Sequence, residues 1–166
     1  MQNKELEKQF EKLIKDHELL ILKVCAVYAI HVADRQDLFQ EIVIQLWKAY
    51  PKFKGESKLS TWLYRVAINT AISGLRKVKH FIQSYEPGRL PGHLVNTDDN
   101  NEKEEYFKQL YCAIDQLNQI EKAIVMLYLE DKSYEEMKDI LGISEGNLRV
   151  KMNRIKEKLR ELTQNK

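Results

Sequence analysis

The stretch SYEEMKDILGISEGNLRVKMNRIKEKLRE, residues 133–161, decides the fold of the C-terminal part of this chain. Ser133 and Glu136 have the spacing of a capping box, in which each side chain accepts a hydrogen bond from a backbone N–H at a helix start. Gly142 stands where a helix end favours a left-handed residue, and Ser144 can cap a second helix after it. The pattern therefore predicts a helix-turn-helix.

The second helix of this motif separates an apolar stripe from a basic face. Between Ser144 and Arg160, six Lys or Arg residues stand against two glutamates. A solvated basic face is the plain explanation, but the two capped helices, the glycine turn and the one-sided stripe together favour DNA binding. The residues of the stripe recur at spacings of four and three, which places them on one side of the helix: Leu148, Met152, Ile155, Leu159 and Leu162.

Charge is segregated along the chain, although the net charge is only +2. Residues 48–80 carry eight Lys or Arg against one acidic residue, and residues 146–166 carry seven against two. Residues 81–145, in contrast, carry six against fourteen. Two basic segments separated by an acidic one predict two surfaces for a polyanion, while the acidic parts could screen them or meet a basic protein partner.

The 166 residues are predicted to form two small helical domains. Helical periodicity stops near residue 80, and two Pro-Gly pairs followed by a run of Asn, Thr and Asp indicate a flexible acidic linker at 81–105. We expect one domain at 1–80 and the helix-turn-helix domain at 106–166. Because alternation of the β type is almost absent, the predicted fold class is all-α.

Composition argues against several other classes of protein. No apolar run approaches the ~20 residues of a membrane span, and the N-terminus MQNKELEKQF is charged rather than signal-like, so we expect a cytoplasmic protein without membrane insertion. Cys25 and Cys112 are expected to be buried free thiols, with a redox switch as the lesser alternative. The histidines are scattered and no glycine-rich phosphate loop is present, so no catalytic residue, metal or cofactor is expected.

A helix predicted at about 34–50 carries one aliphatic side chain on its polar face. Ile44 stands there among acidic and amide residues, an arrangement that is common in protein-docking surfaces. Single exposed isoleucines are also frequent, so the residue could be incidental.

The following helix, which Ser60 is expected to cap after the breaks at Pro51 and Gly55, carries aromatic, cationic and amide groups along one line. Indole and guanidinium planes can stack on unpaired bases, so this line would suit single-stranded DNA. The indole could equally pack in the core, as aromatic residues at helical spacing usually do. The line consists of Trp62, Arg65, Asn69 and Arg76.

Both halves of the chain resemble the extracytoplasmic-function sigma factors of bacterial RNA polymerase, a branch of the sigma-70 superfamily. DRQDLFQEIVIQLW, residues 34–47, is similar to the family helix that docks on the clamp helices of the polymerase's largest subunit. FKGESKLSTWLYRVAINTAISGLRK, residues 53–77, resembles the segment that melts and reads the minus-ten element. The helix-turn-helix resembles the minus-thirty-five reader. The resemblance implies a transcription initiation factor that binds core RNA polymerase and directs it to specific promoters.

The resemblance also implies roles for individual residues. Those implied to bind the polymerase are Asp37, Gln40, Glu41, Ile44, Gln45 and Lys48. Those implied to bind the minus-ten element, with the loop residues receiving an unstacked base, are Lys54, Ser57, Lys58, Thr61, Trp62, Arg65, Asn69, Arg76 and Lys77. Those implied to bind the minus-thirty-five element, by base edges or by phosphate, are Ser144, Glu145, Asn147, Arg149, Val150, Lys151 and Arg154.

An anti-sigma factor is expected as a further partner on the same resemblance. The alternative function is a two-domain helix-turn-helix repressor whose N-terminal domain senses a ligand or dimerises. A repressor gives no reason for a basic, aromatic helix far from the helix-turn-helix. A helical nucleic-acid enzyme is a more distant alternative, because it would need a constellation of ionisable residues that the sequence does not show.

Overall fold

The computed structural model describes residues 2–79 and 101–164, and no strand occurs within these two ranges. The all-α prediction is confirmed. The chain divides into two compact units, unit 1 at residues 1–85 and unit 2 at residues 86–166. Most of the predicted linker, 81–105, lies outside the described residues, but its last part, 101–105, is already helical.

The described part of unit 1 contains four α-helices, and three of them pack against one another. The elements are α1 (Gln2–Asp16), α2 (Glu18–Tyr28), α3 (Val32–Ala49), a 3₁₀ turn (Tyr50–Lys52) and α4 (Leu59–Lys79). The contacts run between α2, α3 and α4. Ile21, Leu46 and Leu63 are fully buried between them, and each such side chain stabilises the fold by about 1.5–3 kcal/mol relative to exposure.

The connection between α2 and α3 is held by an arginine. The Arg35 guanidinium donates hydrogen bonds to the carbonyl oxygens of Ala29 at 2.9 Å and Ile30 at 3.3 Å. A cation at this point satisfies carbonyl groups that the end of α2 leaves without helical partners. The predicted helix at about 34–50 is therefore observed as α3, and it begins two residues earlier, at Val32.

The N-terminus of α4 differs from the prediction. The helix begins at Leu59, and the Trp62 N–H donates to the Lys58 carbonyl oxygen at 3.1 Å. Lys58 is therefore the N-cap residue, and the prediction that Ser60 caps this helix is wrong. In the loop before it, Gly55 has φ +72, a left-handed conformation that glycine adopts without strain.

Unit 2 is built around one long helix. Its elements are α5 (Asn101–Asp115), α6 (Gln119–Leu129), α7 (Tyr134–Leu141) and α8 (Glu145–Gln164). α8 packs against the other three helices. The predicted side of α8 faces this core: Leu148, Met152 and Ile155 are buried, while Leu159 and Leu162 are half-buried.

The helix-turn-helix prediction is confirmed at each of its signals. Ser133 and Glu136 form the reciprocal capping box, with bonds of 2.9 and 3.1 Å. Gly142 is left-handed at φ +70 and its N–H donates to the Lys138 carbonyl oxygen at 2.8 Å. The Ser144 hydroxyl oxygen accepts a hydrogen bond at 3.4 Å from a backbone N–H in the first turn of α8.

The end of α6 uses a left-handed residue that is not glycine. Asp131 has φ 56, and its N–H donates to the Tyr128 carbonyl oxygen at 3.1 Å. The next residue, Lys132, donates to the Leu127 carbonyl oxygen at 3.0 Å. These two bonds form a Schellman motif, in which the left-handed position usually belongs to glycine.

Candidate nucleic-acid and polymerase interfaces

The predicted minus-thirty-five residues lie together on the first half of α8 and at its cap. Glu145 is half-buried and the remaining ones are exposed: Ser144, Asn147, Arg149, Val150, Lys151 and Arg154. The buried residues of α8 lie on the other side of the helix. One face of α8 thus holds the domain together, while the other offers three exposed cations to a ligand. We call this exposed face of α8 the reading face.

Two neighbouring groups contact one cation of the reading face. The guanidinium carbon of Arg149 is 5.0 Å from the ring centroid of Tyr134, the first residue of α7. Its Nη2 is 3.5 Å from an oxygen of Glu145, one turn earlier on α8. Tyr134 was not among the predicted residues. Its position directly after the N-cap, on the helix that precedes α8, was the available signal.

Another cation on α8 is directed away from this face. The Lys158 ammonium is 3.2 Å from a carboxylate oxygen of Glu121, which also accepts the Asn118 N–H at 3.0 Å. Lys158 therefore ties α8 to the capping box of α6.

The predicted minus-ten residues of unit 1 are divided between surface and core. Lys54, Lys58 and Asn69 are exposed, whereas Ser57 and Arg65 are half-buried. Thr61 and Trp62 are buried, with exposed fractions of 5% and 8%. The side chains of Arg76 and Lys77, near the end of α4, lie outside the described part of the chain.

An aromatic cluster, defined as Phe10, Trp47, Tyr50, Phe53 and Trp62, explains the burial at the start of α4. The ring centroids of Trp62 and Phe53 are 4.9 Å apart, and those of Phe10 and Trp47 are 5.0 Å apart. Tyr50 links the two pairs, at 6.4 Å from Trp62 and 5.4 Å from Phe10. Of the two interpretations of Trp62, the structure places it in the core. Little of Thr61 or Trp62 is exposed to a melted strand, and their role in binding the minus-ten element stays a prediction.

The predicted polymerase-binding residues share the outer face of α3. Ile44 is 46% exposed there, while its neighbours Ile42 and Leu46 are fully buried on the core side. Gln45, which is half-buried, donates to a Glu41 oxygen at 2.8 Å. The other predicted residues of this face are exposed: Asp37, Gln40, Glu41 and Lys48. On this surface, which we call the α3 face, one aliphatic side chain is surrounded by polar and charged groups.

The two cysteines differ in burial. Cys25 is 1% exposed, and its burial raises the pKa of the thiol to about 11, against the opposing charge of Arg35. A thiol with such a pKa is inert at neutral pH. Cys112 is only half-buried, so the prediction of a buried thiol is wrong there. α5 presents that position partly to solvent, whereas the neighbouring Ala113 and Ile114 are buried.

Burial also shifts the ionisation of two other side chains. It raises the pKa of Tyr28 and lowers the pKa of Lys122, whose ammonium is 3.9 Å from an Asp115 oxygen that acts in the opposite direction. Within 2–79 and 101–164, no group of three His, Cys, Asp or Glu side chains is arranged to hold a metal ion. No helix in the same ranges is long and apolar enough to cross a membrane.

Two family models match the chain, sigma-70 region 2 over residues 13–81 and sigma-70 region 4 over residues 107–159, and together they cover more than half of it. The chain belongs to the sigma-70 family. Among curated relatives, the ECF RNA polymerase sigma-E factor of Escherichia coli K12 is 26% identical over 162 residues, covering 91% of this chain and 84% of that protein. The RNA polymerase sigma-H factor of Pseudomonas aeruginosa is 26% identical over 159 residues, covering 89% and 82%. The resemblance to extracytoplasmic-function sigma factors is confirmed.

Solved structures show the same fold. The sigma factor RpoE of Bartonella quintana, in complex with the anti-sigma factor NepR, matches with a TM-score of 0.74 at 18% identity, covering 95% of this chain and 98% of that one. CnrH, in complex with the cytosolic domain of CnrY, matches with a TM-score of 0.66 at 16% identity, covering 94% and 88%. With region 2 in unit 1 and region 4 in unit 2, this sigma factor is a promoter-specific transcription initiation factor.

Proposed function

We propose that this sigma factor divides its work between three surfaces. The reading face of α8 binds the minus-thirty-five element, the loop at 53–58 with α4 melts and binds the minus-ten element, and the α3 face docks on the clamp helices of core RNA polymerase. The single observation that carries this proposal is the separation on α8 of a buried stripe from an exposed basic face.

The reading face suits the major groove of duplex DNA. α8 spans 20 residues, about 30 Å, and the major groove admits a helix of this width. Arg149, Lys151 and Arg154 are exposed within its first half. Arginine can donate two hydrogen bonds to a guanine edge, while lysine and arginine both bind phosphate.

The minus-ten surface is built on the aromatic cluster. Phe53 begins the loop and Trp62 lies in the first turn of α4, and their rings pack against each other. The basic residues between them therefore project from a segment that is anchored on both sides. Lys54 and Lys58 are exposed on this loop, and Asn69 is exposed further along α4. Extracting a base costs a few kcal/mol, which contacts of the loop and α4 with the extruded strand would offset. In this proposal Trp62 supports the loop rather than stacking on a base.

The α3 face has the composition of a protein-docking surface. Its aliphatic centre, Ile44, is exposed although both α3 residues two positions away are fully buried. Binding energy at protein interfaces is concentrated in a few central residues within a polar rim. Ile44 is the candidate centre, and the polar residues around it form the rim.

Regulation by an anti-sigma factor is part of the same proposal. The solved relatives RpoE and CnrH were determined with NepR and with the cytosolic domain of CnrY, respectively. By analogy, an anti-sigma factor would cover surfaces of this chain and keep it from polymerase. The protein would act in the cytoplasm, without a cofactor and without catalysing a reaction itself.

The test combines the full-length protein with sigma-free core RNA polymerase and a promoter library. Transcripts that depend on this protein should begin at a fixed distance from a shared two-part sequence. Ile44→Asp should abolish capture by core polymerase, whereas Leu19→Asp, at an exposed aliphatic position on α2, should leave it intact. Retained duplex binding without any binding to core polymerase would instead support a repressor.

A further inference from the structure

Tyr134, which has no part in the surfaces proposed above, contacts a central cation of the reading face. It follows the N-cap Ser133 as the first residue of α7, and the Arg149 guanidinium lies 5.0 Å from its ring centroid. Glu145 approaches the same guanidinium from α8, at 3.5 Å. Residues of both helices of the motif thus fix one side chain that is itself 57% exposed.

Holding this arginine in place before DNA arrives has a physical consequence. A long side chain loses rotamer freedom when it binds a base edge, and a side chain that is already ordered loses less. The guanidinium favours such an arrangement because its delocalised plane is attracted to an aromatic ring and it still has donors for a ligand. The contacts with Tyr134 and Glu145 therefore prepare Arg149 for a ligand of defined position.

The carboxylate of Glu145 indicates which ligand that is. A guanidinium beside a carboxylate attracts phosphate less, because Glu145 repels the phosphate charge. A guanine edge is uncharged and offers two acceptors, O6 and N7, to the donors that remain. The pair thus favours a base edge over the DNA backbone.

We propose that Tyr134 is a positioning residue for base reading, holding Arg149 so that it selects guanine at one position of the minus-thirty-five element. This inference rests on the proposed function, because it needs the reading face of α8 to lie in the major groove. Tyr134 acts through Arg149, and Glu145 acts by discouraging phosphate binding.

The test measures base preference at each position of the minus-thirty-five element, using transcripts from a randomised promoter library and the reconstituted holoenzyme. Arg149→Ala should erase a guanine preference at one position. Tyr134→Leu should lower that preference about two- to fivefold, the value of an exposed cation–π contact. Tyr134→Phe keeps the ring and should keep the guanine preference at the wild-type level. Tyr128→Leu is the matched control, because it removes a ring 5.0 Å from the Lys156 ammonium elsewhere in unit 2, and it should change no preference.

A double-mutant cycle separates positioning from a structural role. In an Arg149→Ala background, Tyr134→Leu should have no further effect on base preference. An equal effect in both backgrounds would overturn the inference, as would an unchanged guanine preference in Arg149→Ala alone. If wild-type holoenzyme yields no promoter-dependent transcripts, the proposed function itself fails instead.

A second variant keeps the inference testable if Tyr134→Leu destabilises α7. Glu145→Gln removes the charge at nearly constant volume and frees Arg149 to bind phosphate. Affinity of the holoenzyme for promoter-free duplex should rise about twofold, a shift of the size expected when one exposed i,i+4 ion pair is removed, and guanine preference should fall. Unchanged values of both quantities would overturn the inference.

Discussion

The surface proposed to bind DNA in unit 2 is one face of a single helix, whereas the one proposed in unit 1 combines a loop with α4. On α8, core and contact residues lie on different sides, so Leu148 is fully buried and Arg149 beside it is exposed. At the start of α4, in contrast, Trp62 is buried and its ring packs near those of Phe53 and Tyr50, which lie outside the helix. In unit 2, helical period alone therefore distinguishes core residues from exposed contact residues. In unit 1, contacts between elements determine which residues are buried.

The largest expected effect tests whether Trp62 belongs to the core of unit 1. Trp62→Ala should lower the free energy of unfolding by about 3–5 kcal/mol, because it removes a large ring from the aromatic cluster. Asn69→Ala, at an exposed position two turns further along α4, should change it by less than about 0.5 kcal/mol. Urea denaturation followed by circular dichroism measures both. Small and equal changes in the free energy of unfolding for the two variants would contradict a core position for Trp62.

The next effect concerns the pH dependence of the fold through Cys25. Burial raises the pKa of this thiol from 9.0 to about 11 in the folded protein. A folded pKa raised in this way contributes stability that is complete below pH 9 and lost as pH rises to 11, by up to about 3 kcal/mol. Because Tyr28 also titrates at high pH, the quantity to measure is the difference between the wild-type and Cys25→Ala pH profiles. If the stabilities of the two proteins changed in parallel from pH 8 to 11, the predicted contribution of Cys25 would be contradicted.

A comparison within the reading face gives a smaller effect. Within 2–79 and 101–164, no ion pair or ring contact of Arg154 is found, so we expect it to bind phosphate. Arg154→Ala should weaken binding by about 1 kcal/mol for all promoter sequences and reduce the slope of log affinity against log salt by about 1. Arg149→Ala should instead cost about 1–3 kcal/mol at one base pair. Fluorescence anisotropy at several salt concentrations distinguishes the two, and the idea fails if Arg154→Ala is sequence-selective.

The smallest expected effect is that of Asp131→Gly, which tests whether the end of α6 can be changed without changing the reading face. Asp131→Gly should raise the free energy of unfolding by about 0.5–1 kcal/mol, because glycine adopts the left-handed conformation there without strain. Gly142→Ala should lower it by about 1–2 kcal/mol for the same reason. Thermal denaturation measures both. Base preference of the Asp131→Gly protein should match the wild type. An altered preference would show that the end of α6 and the reading face are coupled.

Local signals could be predicted from the sequence, and contacts between elements could not. The capping box of Ser133 and Glu136, and the left-handed Gly142, depend on residues a few positions apart, and the structure confirms them. The burial of Trp62 involves the rings of Tyr50 and Phe53 outside its helix, and the expected cap at Ser60 was wrong because α4 begins at Leu59. The contact of Tyr134 with Arg149 joins two helices, and its distance depends on how α7 packs against α8.

The central claim is that unit 2 selects the promoter while unit 1 opens it, and permanganate reactivity of promoter thymines tests this most directly. Holoenzyme would be compared as wild type, as Arg149→Ala, and as a variant with alanine at the exposed positions Lys54, Lys58 and Asn69. At low protein concentration both variants should show weak melting. At saturating concentration Arg149→Ala should recover it, whereas the unit 1 variant should bind the promoter and leave it closed. Equal recovery of both variants, or of neither, would contradict the division.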